Sequence, residues 1–213
     1  MIILVTAILV AAYLMGSIPS AVWIGKKYYG VDIRQHGSKN AGTTNMLRVL
    51  GRRAALPVFV IDVLKGFVAV TLADLMVYLE PHDPVNLYNL KIALVAAAVL
   101  GHIFPVFAQF KGGKGVATLA GAVLGVYPPA VLLCLAVWAL MLMATHYVSL
   151  SSMVAGVCFP VFIAVFPKTR RIPSLIIFSC VVAVLLIVTH RKNIGRLLRG
   201  EESKIYIWGH GPK

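Results

Sequence analysis

"AALPVFVIDVLKGFVAVTLADLMVYL", residues 54–79, decides the fold. At 1.5 Å per residue, about 20 mostly apolar residues cross the hydrocarbon core of a bilayer as a helix. This stretch is long enough to cross. It also carries Asp62 and Lys65, three apart and therefore on one helical face. A lone charge at the bilayer centre costs at least about 2.5 kcal/mol, so the two read as a structural pair that lowers each other's cost. Working outward, segments 2–25, 88–107, 130–147 and 172–190 are equally apolar. Segment 153–166 is shorter, and 116–126 is shorter still, stopped by Tyr127-Pro128-Pro129. The last holds Gly121 and Gly125, a GxxxG pair that lets helices approach closely. The expected fold is all-α: a polytopic membrane helix bundle of about seven transmembrane helices, the fourth and sixth short or partial, in one domain over 1–213. Five full spans plus two partial segments is the alternative.

Composition agrees. Of 213 residues, 60% are hydrophobic and 13% charged, against roughly 25% charged in a soluble domain. The net charge of +13 does not point to nucleic acid, because the basic residues punctuate apolar spans. They read as topology signals and as sites for anionic lipid or anionic substrate. Cys134, Cys158 and Cys180 lie within apolar runs and have no metal-ligand or redox spacing. The first apolar stretch has no basic region before it and no A-x-A cleavage site, so it reads as a retained helix.

Basic residues in loops set orientation. With the N-terminus outside, segments 26–53, 108–115 and the tail from 191 are cytoplasmic and hold nearly all of the net positive charge. Lys168, Arg170 and Arg171 fall outside and break the rule locally. This orientation puts three polar patches on one face, so a single site built from three loops is expected there. The patches are "GSKNAGTTNMLRVLG" (37–51), "FKGGKGVAT" (110–118) and "THRKNIGRLL" (189–198).

Each patch suits an anion. In the first, Gly37 and Gly42 allow tight turns, and Thr43 or Thr44 is placed to cap a short helix to Leu50, with Gly51 its stop. A helix start of this kind attracts anions, and Arg48 shares a face with Thr44 and Asn45. In the second, Gly112, Gly113 and Gly115 surround Lys114, and amides beside an ammonium suit a phosphate. No GxxxxGK[ST] P-loop is present. His102, inside the preceding span, reads as a packing histidine. In the third, His190 and Asn193 lie three apart at the end of the last span. A basic juxtamembrane helix that binds acidic lipid explains Arg199 but not that pair.

"GSKNAGTTNMLR", "GHIFPVFAQFKGGKGVAT" and "HRKNIGRLLRGEE" together resemble the three signature motifs of the bacterial acyl-phosphate:glycerol-3-phosphate acyltransferases. The apolar segments between them match in number and order. The resemblance implies a multi-pass enzyme of the bacterial cytoplasmic (inner) membrane with its active site on the cytoplasmic face and its C-terminus cytoplasmic. It implies acyl transfer from acyl phosphate to the 1-hydroxyl of glycerol 3-phosphate, giving lysophosphatidic acid and inorganic phosphate, the first step of phospholipid synthesis. No metal or other cofactor is implied. The partners are the two substrates and membrane lipid, and the chain is expected to be a monomer. Carried over by position, the resemblance makes Ser38, Arg48, Lys114, His190 and Asn193 catalytic. Gly37, Lys39, Asn40, Thr43, Thr44, Asn45, Gly112, Gly113 and Gly115 are expected to bind substrate, the glycines around Lys114 matching the family's phosphate-binding loop. The resemblance also calls for a serine on an intervening cytoplasmic loop; of Ser149, Ser151 and Ser152, the reading selects Ser152.

None of the histidines begins an H-x-x-x-x-D pair, and no G-x-S-x-G elbow is present. The general base is open between neutral His190 and a phosphate oxygen of a substrate, and the cationic surroundings favour the latter. Rival readings are an anion transporter, which predicts repeat symmetry and a midplane site, a non-catalytic lipid anchor, and an acyltransferase using acyl-CoA.

Overall fold

The computed structural model describes residues 2–77 and 84–205. The extended loop at 80–90 falls partly, and the tail after 205 wholly, outside the described residues. Among the described residues the chain is helical throughout, with no strand. The helices are α1 (Ile2–Gly16), α2 (Ser20–Tyr29), α3 (Thr43–Leu50), α4 (Arg52–Val77), α5 (Pro84–Ile103), α6 (Val116–Val126), α7 (Pro128–Thr145), α8 (Val148–Val165), α9 (Pro173–Thr189) and α10 (Arg191–Leu198). Five stretches are long and apolar enough to cross a membrane: Ile2–Tyr29, Arg52–Leu75, Val85–Ala108, Pro128–Thr145 and Val148–Val165. A sixth is added if α9 and α10, bent by 58° at His190, count as one. Two compact units divide the chain, Met1–Pro128 and Pro129–Lys213.

In the first unit, the span expected over 2–25 is broken between Gly16 and Ser20. Pro19 has no N–H to donate and disfavours helical backbone at Ile18. A freed carbonyl at membrane depth needs a partner. The Ile18 carbonyl accepts from the Ser20 amide at 3.0 Å and from Lys65 Nζ at 2.8 Å. Lys65 also pairs with Asp62 Oδ1 at 2.8 Å, and Ser20 Oγ donates to the same oxygen at 2.7 Å. The buried pair in α4 thus holds the break between α1 and α2.

The short α6 has 11 residues, as its apolar run indicates, and packs on α4. Gly121 of α6 lies against the Val63 backbone, and Gly66 of α4 against that of Thr118. A Cβ at either position would collide with a carbonyl, so small residues set this backbone-to-backbone packing. At the far end of α6, Lys91 bridges Asp74 at 2.8 Å and the Gly125 carbonyl at 3.1 Å.

In the second unit, α8 corrects the reading of a short sixth helix: it has 18 residues and begins at Val148. Two serines of its first turns satisfy their hydroxyls on backbone carbonyls one turn back. Ser151 and Ser152 donate to the carbonyls of Tyr147 and Val148 at 2.9 and 2.8 Å. α8 packs on α9 through Gly156 against Leu186 and an edge-on Phe159–Phe178 contact.

Candidate active site

The first patch is built from Asp32 outward. Its carboxylate accepts from the Arg34 amide at 3.1 Å and from Arg34 Nε and Nη2 at 2.9 and 2.7 Å, with Lys26 at 3.2 Å. The Arg34 guanidinium holds this carboxyl well below the usual range. Arg34 Nη1 then donates to the Ala108 carbonyl at 3.0 Å, tying this loop to the chain after α5. Beyond it, left-handed backbone at Gly37 (φ +57°) and Lys39 (φ +59°) turns the chain.

Asn45 holds that turn from below. Its Oδ1 accepts from the Ser38 amide at 2.9 Å, and its Nδ2 donates to the Ile33 and His36 carbonyls, each at 3.0 Å. Both of its N–H groups are committed to the backbone, and the residue is buried. The structure therefore places Asn45 under the loop as its organiser, rather than on substrate as expected from the sequence. Ser38 and Lys39 remain exposed above it, and Asn40 follows half-buried.

The expected short helix is α3, ending at Gly51, but neither threonine caps it: Gly42 is the N-cap. Thr43 and Thr44 start the helix itself. Thr43 Oγ1 and Arg48 Nε are buried and have no hydrogen-bond partner within the protein. Buried polar atoms are rarely left in this condition.

The second patch corrects another expectation. The amides of Gly112 and Gly113 do not converge on an open anion site; they donate to the carbonyls of Ile103 and His102 at 3.1 and 3.2 Å. The glycines are needed for space. A Cβ at Gly112 would strike the His102 carbonyl, and one at Gly113 would strike His102 Nε2 and lie 2.7 Å from the Ala41 carbonyl. Gly115, left-handed at φ +76°, is the N-cap of α6. The second patch is therefore pressed between the end of α5 and the first patch. Half-buried Lys114 is carried on this junction.

The third patch lies in the second unit, where α9 bends into α10. His190 is buried, and its Nδ1 lies 2.8 Å from the Leu186 carbonyl. A carbonyl only accepts, so Nδ1 carries the proton and Nε2 is the basic nitrogen of the neutral ring. Three residues on, Asn193 Nδ2 donates to Glu202 Oε1 at 2.7 Å. Ser149 Oγ donates to the same oxygen at 2.9 Å, and Arg196 Nε to Oε2 at 2.6 Å.

Glu202 was not singled out in the sequence. The available signal was an acid at the end of the third motif in a basic tail. Burial works against its ionisation, but donors from Arg196, Asn193 and Ser149 outweigh this and hold its carboxyl below the ordinary value. Of the three serines, Ser149 meets this cluster. Ser152 instead donates within α8 and accepts from Trp138 Nε1 at 3.2 Å. The tail is pinned further by the Ile205 amide on the His146 carbonyl at 2.8 Å. Among the described residues, no three His, Cys, Asp or Glu side chains gather as a metal site would require.

Residues 6–200 match the sequence profile of the family described as "Glycerol-3-phosphate acyltransferase". The glycerol-3-phosphate acyltransferase of Staphylococcus carnosus is 43% identical over 95% of this chain and 98% of its own length. That of Salinibacter ruber is 41% identical over 94% and 92%. Among solved structures, the glycerol 3-phosphate form of PlsY (YgiH), an integral membrane glycerol 3-phosphate acyltransferase, superposes with a TM-score of 0.80 at 37% identity, over 95% of this chain and 96% of that one. Its lysophosphatidic acid form gives 0.77 at 36% identity.

Proposed function

Because the chain belongs to the glycerol-3-phosphate acyltransferase family, we propose that it moves a fatty acyl group from acyl phosphate to the 1-hydroxyl of glycerol 3-phosphate. Lysophosphatidic acid and inorganic phosphate are the products. The enzyme works as one catalytic domain, a monomer with seven spans in the bacterial cytoplasmic membrane. Its N-terminus is outside and its polar patches are cytoplasmic. The basic segments around 26–53, 108–115 and 191–204 support that orientation.

The observation that carries the reading is the pair of unpartnered buried atoms, Thr43 Oγ1 and Arg48 Nε, in a patch that touches the loop holding Lys114. A phosphate supplies acceptor oxygens that both can use. Arg48 gives a planar fork and Lys114 a point charge. Two anionic substrates must sit close together, and these cations offset their repulsion. Ser38, exposed above Asn45, and Lys39 and Asn40 beside it, bind substrate from the loop. Thr44 and the glycine-lined turn at Lys114 complete that side.

In the reaction, the glycerol 3-phosphate hydroxyl oxygen attacks the acyl carbon. The bond from that carbon to the phosphate oxygen breaks, and the hydroxyl proton passes to a phosphate oxygen. The donor is already activated, so no acyl-enzyme is formed, and orientation supplies much of the rate. His190 and Asn193 serve this same reaction, His190 binding anionic oxygen. His190 as the base is the alternative, supported by the Nδ1 bond that leaves Nε2 basic. His190→Gln separates the two: a loss confined to KM supports a phosphate oxygen as base, and a collapse of kcat at saturation supports His190.

The donor is tested by giving purified protein glycerol 3-phosphate with either acyl phosphate or acyl-CoA. Lysophosphatidic acid from acyl phosphate alone is expected; equal turnover of acyl-CoA would overturn the donor assignment.

A further inference from the structure

A chain of buried polar side chains crosses the first unit and ends under the Lys114 loop. Ser20 and Lys65 both contact Asp62 Oδ1. His102 Nδ1 lies 3.7 Å from the same oxygen and 3.0 Å from Thr118 Oγ1. All five residues are buried. They come from α2, α4, α5 and α6. Ser20, Asp62 and Lys65 serve the break between α1 and α2, which leaves buried His102 and Thr118 as the members without a role in that break.

His102 meets the loop twice. Its carbonyl accepts the Gly113 amide, and its ring edge at Nε2 lies where a Gly113 Cβ would be. Through Nδ1 the same ring holds Thr118, four residues beyond Lys114. The residues flanking Lys114 on both sides are thus set by one imidazole, which is held by its hydrogen bond with Thr118 on α6.

We infer that His102 is a positioning residue for the phosphate site, fixing the place of Lys114 through Gly113 and Thr118 without touching substrate. This deepens the proposed function and rests on it. A group that binds phosphate equally in ground and transition states contributes to KM rather than to kcat.

The experiment measures glycerol 3-phosphate binding by calorimetry on purified wild type, His102→Ala, His102→Asn and Thr118→Val, followed by steady-state kinetics. Thr118→Val keeps shape and removes only the hydroxyl, so it reports even if His102→Ala does not fold. Expected is a tenfold or greater loss of affinity and rise in KM for His102→Ala and Thr118→Val, with kcat within about threefold. His102→Asn, which keeps a polar group near the Nδ1 position, recovers a good part of the loss. Unchanged binding in Thr118→Val, or a fall in kcat at constant KM, overturns the inference. Failure of wild type itself to bind glycerol 3-phosphate would instead count against the proposed function.

Discussion

Replacing Asn45 with alanine separates two uses of one residue. The side chain makes three hydrogen bonds, all to the backbone of the turn at 33–38. At about 1 kcal/mol net for each, their loss removes about 3 kcal/mol from the ordered loop. At 1.4 kcal/mol per factor of ten, that lowers the ordered-to-open ratio by about two orders of magnitude. Apparent affinity falls with the population of the competent state, so for a loop whose ordered form is at most about tenfold favoured in the wild type, kcat/KM falls by about 10- to 50-fold. Asn45→Asp should do no better, because it sets an acceptor against the Ile33 and His36 carbonyls. The assay pairs kinetics with limited trypsin cleavage at exposed Lys39, without substrate. Faster cleavage at Lys39 alongside the kinetic loss is expected. A raised KM with cleavage at the wild-type rate would refute the reasoning and return Asn45 to the substrate.

Glu202→Gln removes the charge facing Arg196 and weakens the cluster that holds Asn193; activity should drop at least tenfold, with faster proteolysis at Arg199 and Lys204. Since the folded carboxyl lies below its ordinary 4.5, its contribution is full above pH 4.5 and is lost as pH falls through the lower folded value. Tail protection measured against pH should therefore hold to about 4.5 and fail below it, and Glu202→Gln should abolish that dependence. Lys65→Met leaves the Asp62 carboxylate and the Ile18 carbonyl without this cation, a loss of about 3–5 kcal/mol for a broken buried pair, read as a lower melting temperature in detergent. Gly121→Ala drives a methyl into the Val63 carbonyl; a loss of about 1–3 kcal/mol should appear in the same melting assay.

The spans, the short α6 and its small-residue face were legible in the sequence because apolar length and GxxxG are local signals. The break at Pro19 was written there too, but an unbroken apolar average concealed it. One partner of the carbonyl at that break, Lys65, lies far along the chain. α8 was read short because Ser151 and Ser152 count as polar in sequence, although each satisfies itself within the helix. Asp74 and Lys91 lie on different helices, and no local pattern announces that they form one bridge. The motifs located the candidate residues but not their duties. Asn45 and the Gly112 and Gly113 amides are all bonded to the protein itself. Which groups a fold satisfies internally depends on long-range contacts that residue type does not encode.

The most direct test of acyl transfer from acyl phosphate is a single-turnover experiment with enzyme in excess, following lysophosphatidic acid and inorganic phosphate together. One phosphate released per lysophosphatidic acid formed, at the same rate and only when glycerol 3-phosphate is present, is the predicted result. A burst of phosphate before glycerol 3-phosphate is added, or product formed without phosphate release, would contradict it.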